Sequence, residues 1–143
     1  MTEPELRITF ANLRSDNSSL ADNWEVLLRV VGDFEVSIGG EPIYREQEFC
    51  MVEFGVQAVE WSRQLYHRKF VYRTLESEEL GLVYIKKRQA GWQIGSIYQT
   101  TEAPPLSVAT IRAAIEAYWS NLRLAVERQF QRDISVLLNL QHE

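Results

Sequence analysis

The sequence predicts an α+β domain in which an antiparallel sheet of about five to seven strands packs against a central helix and a long C-terminal helix. Three observations predict this class. Short segments that alternate apolar and polar residues lie on both sides of one helical segment, turn-forming residues separate them, and the last third of the chain has an apolar stripe with helical spacing. Residues 1–143 are expected to form this single domain, since 143 residues is an ordinary domain length.

The first part of the chain is predicted to be mainly strand. Residues 6–13 alternate with a period of two. Residues 24–31 fit either a short helix or a buried strand, and the β-branched residues in their second half favour the strand. Residues 34–38 alternate again, and Gly39-Gly40 supply the positive φ angles of a hairpin turn.

The middle of the chain changes period. Apolar residues at i, i+4, i+7 and i+11 predict a helix from about residue 50 to residue 66, with a stripe formed by Phe54, Ala58, Trp61 and Leu65. Three strands should follow, at residues 70–75, 81–85 and 92–98. The four tryptophans, one in each region of the chain, are expected in the core: Trp24, Trp61, Trp92 and Trp119.

The last helix is predicted to begin at Ser107, which has the character of an N-cap. Its apolar stripe continues to about residue 140. An unbroken helix of that length would extend about 50 Å, which exceeds the diameter of a domain of this size. We therefore expect the helix either to break near Arg132-Asp133 or to project and pack on another molecule.

Composition argues against several classes of protein. The single cysteine cannot form an internal disulfide, and two histidines leave no cluster for structural zinc. No apolar run approaches the ~18 residues of a membrane span, and the acidic first residues lack the basic start of a signal peptide. We expect a cytoplasmic protein without membrane contact, metal or cofactor.

The charge is unevenly distributed along the chain. The net charge of −5 argues against nucleic acid as the main partner. Residues 1–62 carry twelve acids and four bases, a balance of −8, whereas residues 63–143 carry eight acids and eleven bases, a balance of +3. The sequence thus predicts one acidic and one mildly basic face.

Candidate catalytic residues are few, and each has a structural alternative. His67 stands among bases and is a candidate general base, although a cationic helix end also complements the helix dipole. Cys50 at a helix start is a candidate reactive thiol, but its acidic and apolar neighbours favour a buried, inert one. Glu53 and Glu60 are seven residues apart and share a helix face. They are candidates for an acid/base pair, and the alternative is a solvated acidic surface. No recognisable catalytic motif occurs, so the protein is not expected to be an enzyme.

Three segments carry a resemblance: VGDFEVSI at 31–38, VEFGVQAVEW at 52–61 and GWQIGSIYQ at 91–99. Together they resemble small bacterial proteins of uncharacterised function, some of them similar to immunity proteins of polymorphic or contact-dependent toxin systems. The likeness consists of scattered aromatic and glycine positions and carries over no catalytic residue. It implies a small cytoplasmic protein that inactivates a toxin domain by covering its active site.

The predicted function is therefore non-catalytic protein binding, as an immunity-type inhibitor of a basic toxin domain. The expected partner-binding residues are five acids and one aromatic anchor, which are Asp33, Glu35, Glu41, Tyr44, Glu46 and Glu48. A second hypothesis is a small-molecule-binding or homo-oligomerising module, with a homodimer formed through the C-terminal helix. A third is an enzyme whose site is formed by His67, Arg63 and Arg73.

Overall fold

The structure is a computed structural model, and it describes residues 3–15, 20–75, 80–99 and 103–140. The elements follow one another in the order β1 (Leu6–Ser15), α1 (Asn23–Arg29), β2 (Val30–Ile38), β3 (Glu41–Cys50), α2 (Met51–Ser62), β4 (Phe70–Arg73), β5 (Leu80–Arg88), β6 (Gly91–Gly95), α3 (Val108–Phe130) and α4 (Val136–Leu140). The predicted α+β class is confirmed.

The strands form two antiparallel sheets instead of one. The N-terminal sheet has the order β1-β2-β3, and the C-terminal sheet has the order β4-β5-β6. The predicted single sheet of five to seven strands is therefore corrected to two sheets of three strands among the described residues. The division follows from the path of the chain. β3 ends at Cys50 and α2 begins at the next residue, so the helix follows the first sheet directly and contacts both β2 and β4.

The core is centred on Phe54 of α2, which is fully buried. Its ring centroid lies 5.1 Å from that of Phe34 on β2 and 5.6 Å from that of Phe49 on β3. The rings of Tyr72 on β4 and Tyr118 on α3 are each 5.5 Å away. Aromatic pairs of this geometry contribute about 0.5–1.5 kcal/mol each beyond the burial of their surface. One aromatic cluster thus joins both sheets and the long helix.

The ambiguous segment 24–31 is mostly helical, which corrects the prediction of a strand. The side chain of Asp22 accepts a hydrogen bond from the backbone N–H of Glu25 at 2.9 Å and caps α1. The strand begins only at Val30. Trp24 lies in the first turn and is 62% exposed, so it is not a core residue as predicted.

The central helix is shorter than predicted. α2 ends at Ser62, where the N–H of Arg63 donates to the carbonyl of Val59 at 3.1 Å. Leu65 lies beyond this end and is 81% exposed, so it does not extend the apolar stripe.

The C-terminal helix breaks, which is the first of the two outcomes expected from its length. α3 ends at Phe130, and Gln131 takes a left-handed conformation with φ 58°. After this break α4 begins, and Ile134 and Leu137 are buried. The overlong helix that favoured a homodimer therefore does not occur. Ser107 is the N-cap as predicted, with its side chain accepting from the N–H of Thr110. Among the described residues, every helix is too short or too polar to cross a membrane.

We predict that Gly55→Ala destabilises the protein. Alanine is the better helix former by about 1 kcal/mol, but a Cβ at Gly55 would lie only 2.8 Å from the Cε3 atom of buried Trp119. Overpacking of this kind costs about 1–3 kcal/mol, so the free energy of unfolding in urea should fall. The same substitution should cost less in a Trp119→Phe background. A more stable Gly55→Ala protein would contradict the tight helix contact.

Candidate functional site

The candidate site lies on the face of the N-terminal sheet that points away from the core. On β2, Phe34 and Val36 are buried against the helices, and the alternation of the strand turns Asp33 and Glu35 to the opposite face. β2 is the central strand, so these two carboxylates stand in the middle of the sheet. They lie in a groove of about 360 Å³, which we call the outer groove. Its outward-facing side chains are Thr9, Ala11, Asp33, Glu35, Arg45 and Gln47.

Bulges on both neighbouring strands shape this groove. On β1, Asn12 and Leu13 are inserted between residues that pair with Val31 and Asp33, and Asn12 has φ 54°. On β3, Gln47 and Glu48 are inserted opposite Asp33, and Glu48 has φ 55°. Bulges bend and twist the strands that contain them. Two non-glycine residues in the left-handed region therefore flank one carboxylate, and such strain tends to accumulate at functional sites.

Each carboxylate of the outer groove is oriented by a neighbouring strand. The side-chain amide of Asn12 donates to Oδ2 of Asp33 at 2.6 Å, and the Nη1 atom of Arg14 lies 3.9 Å from Oδ1. The Nε atom of Arg45 donates to Glu35. The carboxylate side chains of Asp33 and Glu35 are 36% and 33% exposed, so solvent reaches both. The groove thus presents fixed carboxylates whose charge is partly balanced by arginines.

Tyr44 does not serve as the exposed anchor expected from the sequence. It pairs with Val36 in the sheet and is only 6% exposed, because this register turns its ring towards Phe34 in the core. Its hydroxyl donates to Oε2 of Glu46 at 3.0 Å. Tyr44 therefore contributes to the core and to the position of Glu46.

The remaining expected acids are spread along β3. Glu46 borders the outer groove, Glu41 follows the hairpin turn at one end of the strand, and Glu48 lies in the bulge near the other end. A strand rises about 3.3 Å per residue, so Glu41 and Glu48 are separated by about 20 Å. Of the expected acids, the structure turns only Asp33 and Glu35 outward into the groove. Glu46 pairs with Phe34, so its side chain lies on the face of Phe34 and Tyr44, and Glu41 and Glu48 lie outside the groove.

Glu53 is a structural carboxylate rather than part of an exposed pair with Glu60. It is 3% exposed and accepts hydrogen bonds from the Tyr72 hydroxyl at 2.6 Å and from the Leu75 N–H at 3.0 Å. Burial and the neighbouring charge of Glu53 raise the pKa of Tyr72 far above its usual value. This pair links α2 to the end of β4.

The other candidates for chemistry also have structural partners. The ring of His67 packs 4.7 Å from that of Trp61, and its Nε2 atom lies 3.2 Å from the carbonyl oxygen of Ser62. Cys50 is buried, as expected of an inert thiol. Arg63 forms an ion pair with Glu116 at 3.1 Å. Among the described residues, no three His, Cys, Asp or Glu side chains are close enough to hold a metal ion.

Sequence reasoning missed the residues that orient the carboxylates. Asn12 carried one usable signal, because asparagine tolerates the left-handed conformation better than most residues. Arg45 pairs with Glu35 only in the register that the bulges create, and no local pattern of the sequence predicts this register. Arg14 reaches Asp33 across the same bulge in β1.

Comparison with known families gives one match. Residues 6–128 match the family described as a domain of unknown function (DUF7878), and the chain belongs to this family. No curated protein and no solved structure matches the chain. The matched range contains both sheets, α1, α2 and most of α3, and hence the whole outer groove.

We predict that Glu48→Gly stabilises the protein, whereas Gln47→Gly destabilises it. Glycine removes the cost of a left-handed φ, about 1–2 kcal/mol, and this gain exceeds the extra backbone entropy of its unfolded state. The φ of Gln47 is not positive, so glycine at this position relieves no strain and lowers the free energy of unfolding by about 0.5–1 kcal/mol. Urea denaturation of both variants measures the difference. A shift of the same sign in both would show that residue 48 is not strained.

We predict that Tyr72→Phe lowers the free energy of unfolding by about 1–3 kcal/mol at neutral pH, because a buried carboxylate loses a donor. The raised pKa of Tyr72 adds a pH dependence. Folded Tyr72 stays protonated above pH 10, where an unfolded tyrosine ionises, so its contribution is complete below about pH 10 and is lost as the pH rises. The variant should therefore show a shallower alkaline loss of stability, and Tyr66→Phe, at an exposed ring, should behave as the wild type. Equal alkaline slopes in the two variants would contradict this assignment.

Proposed function

We propose that this member of the DUF7878 family is a non-catalytic cytoplasmic bacterial protein that binds another protein through the outer groove, as an immunity-type inhibitor of a basic toxin domain. One observation carries the proposal. Asp33 and Glu35 are adjacent outward-facing carboxylates on a central strand, each held in place by a hydrogen bond from a neighbouring strand and each still open to solvent.

Oriented carboxylates of this kind suit recognition of a cationic side chain. Asp33 and Glu35 are two residues apart on one strand, about 6–7 Å along the sheet. An arginine entering the groove could donate several hydrogen bonds in a fixed plane, and charge-assisted bonds of this type are roughly twice as strong as neutral ones. Because the carboxylates are already fixed, little side-chain entropy is lost on binding.

The charge of the chain supports the same type of partner. Of the twelve acids in residues 1–62, eight lie in the N-terminal sheet, α1 and α2, against four bases. At low salt, the negative potential of this excess would accelerate association with a basic protein, while the groove itself would determine the register of binding.

The positions of the candidate catalytic side chains also favour binding over catalysis. Cys50 and Glu53 lie buried at the start of α2, whereas His67 lies beyond its other end, and Glu53 and His67 are held by hydrogen bonds or ring contacts within the fold. A catalytic site needs such groups to converge around a reacting atom. The outer groove, by contrast, contains only carboxylates, an arginine and small or amide side chains facing outward.

We predict that Asp33→Asn combined with Glu35→Gln weakens partner binding at least about thirtyfold, which corresponds to about 2 kcal/mol. Tagged wild-type protein first captures its partner from the native host at low and high salt, and mass spectrometry identifies it. Affinity for the purified partner is then measured for the wild type, the groove variant and a control variant.

The control is Glu25→Gln combined with Glu127→Gln, which makes the same change in net charge away from the outer groove. It should bind within about twofold of the wild type, and co-expression with the toxin domain should show protection by the wild type and the control only. Equal losses in both double variants would reject the groove as the binding site. Recovery of the protein alone from the host would favour the small-molecule-binding or homo-oligomerising module instead.

A further inference from the structure

A second groove, unrelated to the outer groove, runs between α2 and the edge strand β4. It has a volume of about 560 Å³, and we call it the α2–β4 groove. Its polar side chains from the helix side are Gln57, Glu60 and Gln64, and those from the strand side are Arg68, Lys69 and Arg73.

The cations of this groove lack carboxylate partners, whereas the carboxylates of the outer groove lie beside arginines. Arg68, Lys69 and Arg73 are exposed, and none of them forms an ion pair with a carboxylate of the described residues. The groove contains one acid, Glu60, against these three cations. An anionic ligand would therefore gain charge-assisted hydrogen bonds without displacing an existing ion pair.

The backbone of β4 shows which hydrogen bonds this groove offers. β4 is an edge strand of the C-terminal sheet. The side-chain amide of Gln57 donates to the carbonyl of Arg73 at 2.7 Å, and the N–H of Arg73 donates to Oε1 of Gln57 at 3.0 Å. This is the pair of bonds that a peptide group of a neighbouring strand would form. Residues 81–83 of β5 stand opposite Tyr72 alone, so the irregularity in this pairing is on β5 and β4 keeps its alternation. Since residues two apart in a strand direct their N–H and C=O to the same side, those of Val71 point to the same side as those of Arg73.

Side chains of α2 cover both ends of this edge but leave its middle open. The indole N–H of Trp61 donates to the carbonyl of Arg68 at 2.6 Å, and Glu53 accepts from the N–H of Leu75. Among the described residues, no side chain of α2 forms a hydrogen bond with the backbone of Lys69 or Val71. An unpaired strand edge of this kind is a template for an added strand.

We propose that the α2–β4 groove binds an extended acidic segment of a partner protein, which adds as a short strand beside Val71, replaces the Gln57 amide at the peptide groups of Arg73, and places its carboxylates against Lys69 and Arg73. Lys69, which immediately precedes β4, alternates with Val71 and Arg73 on the exposed side of the segment, while Phe70 and Tyr72 face the core. The segment that fits them has an acid, an apolar residue and an acid at alternate positions. Strand addition supplies affinity through main-chain bonds, and the alternate side chains supply specificity.

The first test uses a fluorescein-labelled peptide, Glu-Thr-Val-Thr-Glu, and measures its fluorescence anisotropy with the full chain. The peptide should bind, and its neutral counterpart Gln-Thr-Val-Thr-Gln should bind at least tenfold more weakly. Lys69→Gln combined with Arg73→Gln should cause a similar loss. Lys87→Gln combined with Arg112→Gln removes the same residue types outside the groove and should change the affinity less than twofold.

The second test separates strand addition from attraction between charges. N-methylation of the peptide's backbone, one amide at a time, should abolish binding at the amides that pair with Val71. Val71→Pro removes an N–H that points away from β5, a change that edge strands tolerate, and should weaken binding at least tenfold, whereas Val71→Ile should not. If Val71→Pro does not fold, the methylated peptides alone decide the question.

Several results would overturn the proposal. These are no binding at millimolar protein, equal losses in the two double variants, or full binding by every methylated peptide. Tighter binding of a single-stranded pentanucleotide than of the peptide would assign the groove to nucleic acid instead. The Asp33→Asn, Glu35→Gln variant should bind the peptide normally, so this result is independent of the proposed function.

Discussion

The packing around Phe54 is the constraint on which the rest of the structure depends. This ring contacts aromatic rings from both sheets and from α3, so α2 must lie between elements that are distant in the sequence. A helix in that position is buried on most of its faces, and even Gly55 is needed to let Trp119 approach. Because most of this short helix is buried, few of its polar side chains can reach solvent. They must find partners inside the protein or reach its margin.

The polar side chains of α2 meet this requirement by binding backbone. Glu53, Gln57 and Trp61 are spaced four residues apart and so lie along one side of the helix. All three form hydrogen bonds with the backbone of the segment from Arg68 to Leu75. The row therefore fixes the edge strand β4 against the helix and determines which of its peptide groups remain open. The α2–β4 groove is a consequence of how the core positions this helix.

Local patterns predicted much of the fold because local interactions decide those parts. Alternation located the strand at 34–38, glycines located its hairpin, and Ser107 and the break after Phe130 follow from cap chemistry and length. Prediction failed where a distant partner decides. The bulges of β3 set the register that buries Tyr44. Glu53 is buried against the hydroxyl of Tyr72, a donor 19 residues away in the sequence that no local pattern reveals. The strand predicted at 24–31 was wrong because the helix cap formed by Asp22 outweighs the β-branched residues that follow.

The candidate sites show why net charge is a weak guide to a binding surface. The sequence predicts an acidic face, whereas both carboxylates of the outer groove lie beside arginines. Selectivity of this groove would therefore depend on the orientation of its carboxylates more than on total charge. The α2–β4 groove lies in a chain of net charge −5 and yet carries an excess of cations. Ionic interactions between exposed groups are screened within about 10 Å at moderate salt, so each groove responds to its own neighbours. Two surfaces of opposite character therefore coexist on one small fold: the carboxylates of the outer groove are on β2 of the first sheet, and the cations of the α2–β4 groove lie beside and within β4 of the second.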